Sequence, residues 1–178
     1  VCRSNKPLND ETRQKLSAFC HVRPEAVFST HDVPNIYHVP LMLEEQGFCD
    51  ILDIDCDKTG LLAEWRAMAH RLDELTEEVN IAMVGKYTDL SDAYLSVIKS
   101  LQHAALAVER KLNIDWIEAS DLEDANNAEA WGLLRNANGV LVPGGFGDRG
   151  IEGKVLAAQY ARENNVPYLG ICLGLQVA

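Results

Sequence analysis

The sequence predicts an α/β protein with a parallel sheet flanked by helices, and three observations predict it. Short apolar runs alternate with helix-periodic segments from residue 78 onward. The runs are short and largely apolar, as in strands covered on both faces. Glycine-rich turns follow two of them, at the strand ends where open parallel sheets bind ligands.

The elements follow in chain order. Asn9 or Asp10 can cap a helix reaching Phe19, with Leu16 and Phe19 turned inward. Residues 26–30 form a short strand. Pro34 opens a helical stretch that is interrupted near Pro40 and stopped by Gly47. Asp50, Asp53, Asp55 and Asp57 alternate with Ile51, Leu52, Ile54 and Cys56 as an acidic edge or loop. Leu61, Leu62, Trp65, Met68, Leu72 and Leu75 share one face of an amphipathic helix over 61–78. A strand at 80–84 follows. A helix over 91–111, capped by Ser91 or Asp89, carries Tyr94, Val97, Ile98, Leu101, Ala105, Val108 and Leu112 on one face. Strands at 114–117, 139–142 and 166–171 alternate with helices at 129–136 and 151–164. The organisation is therefore three regions: 1–57 as the tail of one domain, 58–78 as a linker helix, and 79–178 as the start of a second domain.

Composition narrows the function. Hydrophobic residues make up 47% and charged residues 24%, ordinary values for a globular protein. The formal charge of −11 argues against general nucleic-acid binding, which needs a basic footprint. Nucleotides remain possible ligands, because backbone amides and a few Lys or Arg side chains can hold them. The five cysteines are odd in number and lack a CxxC pair, which reads as free thiols in a reduced, cytoplasmic setting. Cys49 and Cys56 have no further His or Cys pattern to complete a metal site, so no metal is expected. No apolar run approaches the length of a membrane span. The chain begins at Val1, and the first residues read as the end of a strand already under way, as in a fragment of a longer polypeptide.

The chemistry centres on Cys172. It lies between an apolar strand and a helical start, with Gly170 and Gly174 two residues away on either side. Such an elbow raises a side chain outward, and a following helix N-terminus favours the thiolate, the nucleophilic form. The alternative is a buried small hydrophobe, the common fate of a free cysteine. The segment Val142-Pro143-Gly144-Gly145-Phe146-Gly147-Asp148-Arg149-Gly150 follows another strand. One amide there, with that of Leu173, would form an oxyanion hole for the intermediate made by thiolate attack on a carbonyl. The five histidines, His21, His31, His38, His70 and His103, all precede Cys172, and none reads as its base. Arg3, Lys15 and the His31-Asp32-Val33 turn could form a nucleotide-side set, or a solvated helix face and an ordinary loop.

The residues 170–176 together with Pro143-Gly144-Gly145-Phe146-Gly147 resemble the class I glutamine amidotransferase domain. Val84-Gly85-Lys86-Tyr87, Asp92-Ala93-Tyr94, the segment 146–153, Cys2-Arg3-Ser4 and Phe19-Cys20 resemble, more narrowly, the CTP synthase family. That resemblance implies an incomplete flavodoxin-like glutaminase sheet preceded by the tail of a P-loop-type α/β synthetase domain. It implies amination of UTP to CTP, using ATP with Mg and ammonia released from glutamine. It makes Cys172 the nucleophile, Gly145 the oxyanion and glutamine position, and Leu173, Gly174, Leu175 and Gln176 the glutamine-contacting run. It places Lys15 at the UTP/CTP site, His31, Asp32 and Val33 at the ATP site, and Phe146 and Arg149 in a lid that answers to GTP. The P-loop, the Mg ligands and the catalytic His and Glu are expected outside this chain, which by itself is then inactive. A homotetramer and filaments are implied, the helix bearing His103 resembling the stacking region. The competing readings are an assembly element without catalysis and another class I glutaminase.

Overall fold

The computed structural model describes residues 1–55, 60–86, 91–145 and 148–178. The chain divides into two units, Val1–Glu74 and Leu75–Ala178.

In the first unit, β1 (Cys2–Arg3) and β2 (Ser29–Thr30) pair in parallel, Cys2 opposite Ser29 and Arg3 opposite Thr30. Between them runs α1 (Asp10–Cys20), capped by Asn9, whose side chain accepts the Thr12 amide at 2.8 Å. Phe19 is 91% exposed, so the expectation that it faces inward is wrong; Ser17 is the buried residue on that helix. The strand expected over 26–30 shrinks to Ser29–Thr30, because Pro24–Ala26 form a 3₁₀ turn. The next helix, α2 (His38–Glu45), starts later than expected, and Pro40 sits in its first turn, where a missing N–H costs nothing. Gly47 (φ 77°) ends that stretch, and α3 (Phe48–Ile51) follows. Gln46 at the end of α2 closes the open edge of β2: its amide oxygen accepts from Ser29 N at 2.8 Å and its nitrogen donates to Ser29 O at 2.9 Å. Val27, Phe28, Leu41, Met42 and Ala69 form the buried core. The long helix α4 (Leu61–Glu74) joins this unit through Trp65 Nε1, which donates to Tyr37 O at 2.7 Å, and through Asn35, which donates to Ala69 O and Asp73. Cys2 and Cys20 are free, whereas Cys49 is disulfide-bonded, which corrects the reading of uniformly free thiols. Cys56 and Asp57, the end of the expected acidic edge, lie outside the described residues.

The second unit holds β3 (Glu78–Gly85), α5 (Leu95–Ala107), β4 (Lys111–Glu118), α6 (Ala128–Asn136), β5 (Gly139–Val142), α7 (Ile151–Glu163), β6 (Tyr168–Gly170) and the single turn α8 (Leu173–Gln176). All pairings are parallel in the order β4-β3-β5-β6. Counted within the unit this is 2-1-3-4, the flavodoxin-like order, which puts a topological switch point between β3 and β5. The expected sheet is therefore observed, and its strands lie where the apolar runs are.

One helix departs from expectation. Residues 91–94 form a 3₁₀ turn, α5 begins at Leu95 without a side-chain cap, and the helix ends at Ala107. Asp89 lies outside the described residues. Lys111 and Leu112 belong to β4, opposite Glu78 and Val79, and Val108 is 63% exposed. Strand pairing outweighs the helical period at those positions.

Strand alternation sorts the sheet's two faces. Ala82, Val84, Ile117, Val140 and Val142 face α6, α7 and the 3₁₀ turn Ala119–Glu123, packing on Leu122, Leu134, Ala157 and Ala161. On the other face α5 borders a cleft lined by Val97, Leu101, Ala104, Leu141, Leu169 and Ile171, and Leu169 stays 54% exposed.

Candidate active site

The elbow is built by strand pairing that stops abruptly. Beyond β6, Ile171 N still donates to Val142 O at 2.9 Å, after which the chain turns. Cys172 takes φ 53° and ψ −109°, a conformation that costs an L residue about 1–3 kcal/mol. The turn closes through Gly174 N to Ile171 O at 2.9 Å and Leu175 N to Cys172 O at 3.1 Å. The thiol is exposed and free, so the buried alternative is excluded.

Close backbone approach dictates the glycines. A Cβ on Gly174 would lie 1.9 Å from Val142 O, and one on Gly170 2.3 Å from Gly174 O. A Cβ on Gly144 would stand 3.2 Å from the Cys172 Cβ and 3.8 Å from its Sγ. The Gly144-Gly145 loop at the end of β5 thus lies against the thiol. Among the described residues, neither the Leu173 amide nor the Gly145 amide has a hydrogen-bond acceptor. These are the two donors expected for an oxyanion hole. Because α8 is one turn long, oriented amides rather than a helix macrodipole are what the elbow offers.

Tyr168 secures the elbow from below: its hydroxyl donates to Gly174 O at 2.6 Å, and burial raises the phenol above its ordinary value. Tyr168→Phe should cost about 1 kcal/mol of stability and leave α8 less firmly held. Thermal melts of the variant, paired with Cys172 alkylation rates, check this.

Beside the loop is a group that sequence reading missed. Lys154, in the first turn of α7, is fully buried, and its Nζ has no hydrogen-bond partner among the described residues. A Cβ on Gly145 would come within 3.6 Å of that Nζ. Desolvation pushes the amine below its ordinary value; the nearby Lys86 adds to this and Glu118 opposes it. Lys86, just past β3 at the switch point, is also buried. Glu118, at the end of β4, binds Arg149 at 3.0 Å. A signal was available in the sequence: Lys154 shares the helical stripe of Ala157, Ala158 and Ala161, all buried.

Of the other expected residues in this unit, Leu173 is half-buried, Gly174 buried, and Leu175 and Gln176 exposed on the elbow turn. Arg149 is exposed and held by Glu118, while Phe146 lies outside the described residues, as do Gly147 and Tyr87. His103, this unit's single histidine in sequence, is exposed on α5.

In the first unit the structure brings Arg3 to Asp32 as an ion pair just beyond the carboxyl ends of β1 and β2. His31 Nδ1 lies 3.4 Å from Ser29 Oγ, and His31 and Val33 line a cleft with His38, Arg66 and His70. Lys15 is not among the residues lining it; it is exposed and paired with Glu11 at 2.5 Å. His38, His70 and Asp73 bring their ligand atoms within 4.8 Å of one another. Asp73 is engaged by His38 at 2.6 Å and by Asn35 at 2.6 Å, and the His38 hydrogen bond holds its carboxyl below the usual carboxylate value. No helix of the described residues is long and apolar enough to cross a membrane.

Comparison with known proteins agrees with this geometry. Residues 89–178 match the family model "Glutamine amidotransferase class-I", and residues 1–55 match "CTP synthase N-terminus". The chain is 50% identical to the CTP synthase of Dictyostelium discoideum, over 100% of the chain and 36% of that protein. It is 49% identical to CTP synthase 1 of Homo sapiens, over 100% of the chain and 32% of that protein. It thus spans about a third of the length of the curated relatives it matches. Among solved structures, a Trypanosoma brucei CTPS glutaminase domain with bound acivicin is similar at TM-score 0.52 and 46% identity, over 56% of this chain and 38% of that one.

Proposed function

Because the chain belongs to the class-I glutamine amidotransferase family, we propose that it is the part of a CTP synthase that carries the glutaminase nucleophile. The single observation supporting this most strongly is the exposed Cys172 on its strained turn, with the Leu173 and Gly145 amides free of acceptors among the described residues.

In this reading the Cys172 thiolate attacks the γ-amide carbon of glutamine. The carbonyl electrons move to oxygen, and the Leu173 and Gly145 amides stabilise that charge. Collapse of the intermediate expels ammonia, with a proton delivered to the leaving nitrogen, and leaves a γ-glutamyl thioester. Water then hydrolyses the thioester to glutamate and regenerates the thiol. Gly174, Leu175 and Gln176 line the approach to the thiol. His103, exposed on α5, is read as a surface histidine, and the base for these proton transfers is expected outside this chain.

Residues 1–57 are read as the end of the synthetase domain, 58–78 as the interdomain linker and 79–178 as the start of the glutaminase domain. His31, Asp32 and Val33 are assigned to ATP, which is used with Mg, and their position beyond two parallel strand ends suits a nucleotide. Lys15 is assigned to UTP or CTP, and Phe146 and Arg149 to a GTP-responsive lid. Ammonia displaces the phosphate placed on UTP at its uracil O4, giving CTP in a cytoplasmic homotetramer that can stack into filaments.

The test uses the full-length protein with UTP, ATP, Mg and either glutamine or ammonia. CTP should form from both nitrogen sources, with glutamine use stimulated by GTP. Failure to form CTP from either source would overturn the assignment.

A further inference from the structure

Lys154 is a fully buried amine that the mechanism above leaves without a task, and its surroundings give it one. An unpaired donor inside a protein costs free energy, so its retention needs a partner in some state of the molecule. Backbone of the Gly144-Gly145 loop lies close to the amine. The Cβ direction of Gly144 points at Cys172, and that of Gly145 points at the Lys154 Nζ. The loop therefore passes between the thiol on one side and the amine on the other. In a peptide unit the N–H and C=O point in opposite directions. A Gly144 carbonyl turned to the amine leaves the Gly145 amide turned to the thiol. Among the described residues the amine has no acceptor in this structure, the Gly144 carbonyl included, so that contact belongs to another state of the loop; the nearby Glu118 is held by Arg149.

We propose that Lys154 is a positioning residue of the oxyanion loop: by taking the Gly144 carbonyl it fixes the Gly145 amide toward the oxygen that becomes negative on Cys172 attack. The inference rests on the glutaminase reading above. Lys154 touches neither substrate nor the reacting atoms; it acts through one peptide.

The test is Lys154→Met in the full-length protein, a side chain of similar length without a donor. Glutamine-dependent kcat should fall about 100-fold, as when one oxyanion donor is lost, while KM for glutamine stays within about threefold. Ammonia-dependent CTP formation should be unchanged. A γ-aldehyde analogue of glutamine, which forms a tetrahedral adduct with the thiol, should bind about 100-fold more weakly. Alkylation of Cys172 by iodoacetamide, which needs no oxyanion hole, should proceed at the wild-type rate. The melting temperature should hold or rise, since a buried unpaired amine has been removed. A glutamine-dependent kcat close to wild type would overturn the proposal. So would a fall in which kcat, iodoacetamide labelling and melting temperature drop together, which marks a merely structural lysine. Cys172→Ala run in parallel separates the two failures: if it retains glutamine use, the glutaminase reading itself is wrong.

Discussion

Cys172→Ala in the full-length protein should abolish glutamine-dependent CTP formation and leave ammonia-dependent formation in place. Removing the nucleophile of a covalent mechanism costs on the order of 10⁴–10⁶ in kcat, because neighbouring groups then have nothing to activate. The structure makes the residue replaceable without collapse. Its thiol is exposed, and it makes no side-chain hydrogen bond among the described residues. Alanine tolerates the φ of 53° no worse than cysteine does, so the turn should persist. The paired assay therefore isolates chemistry from folding. Glutamine-dependent rates within tenfold of wild type would mean that another group attacks the amide.

The second large effect is Gly174→Ala. Its Cβ would lie 1.9 Å from Val142 O, 2.8 Å from Val142 C and 3.0 Å from Val142 Cβ. Normal contact requires the α8 turn to retreat from β5 by more than an ångström. That movement carries Cys172 and the Leu173 amide with it and strains the Tyr168 hydrogen bond to Gly174 O. A misplacement of about 1 Å costs roughly 100-fold in rate, and overpacking adds about 1–3 kcal/mol of instability. Glutamine-dependent activity should thus fall at least 100-fold, with a lowered melting temperature. Gly132→Ala is the matched control. It lies on α6 with open space where the Cβ would go, and alanine there should be neutral or slightly stabilising. Equal behaviour of the two variants would show that the elbow does not depend on close backbone contact.

These contrasts show which features the sequence encodes directly. The strand at 139–142 and the helix beginning at Ile151 are local: an apolar run bounded by polar or glycine residues, and an amphipathic period after a glycine. The elbow was legible because Gly170, Cys172 and Gly174 fall at every second position within one strand-to-helix transition. The helix over 91–111 was misread because its last residues keep a helical period while β3 offers Lys111 and Leu112 a full set of strand partners. Phe19 was misread for a related reason: spacing marks one face of a helix but not whether anything packs on it.

By itself, then, the chain's order of residues determined the parallel α/β sheet, the glycines of the elbow and the exposed cysteine between them, since each depends on neighbours within a few positions. Only the tertiary structure decided that Gly144 lies against Cys172, that Lys154 sits buried behind Gly145, and that Glu118 reaches Arg149. Those pairs come from different strand ends and helices. Parallel crossovers bring them to one edge of the sheet, and no local periodicity records which side chains meet there.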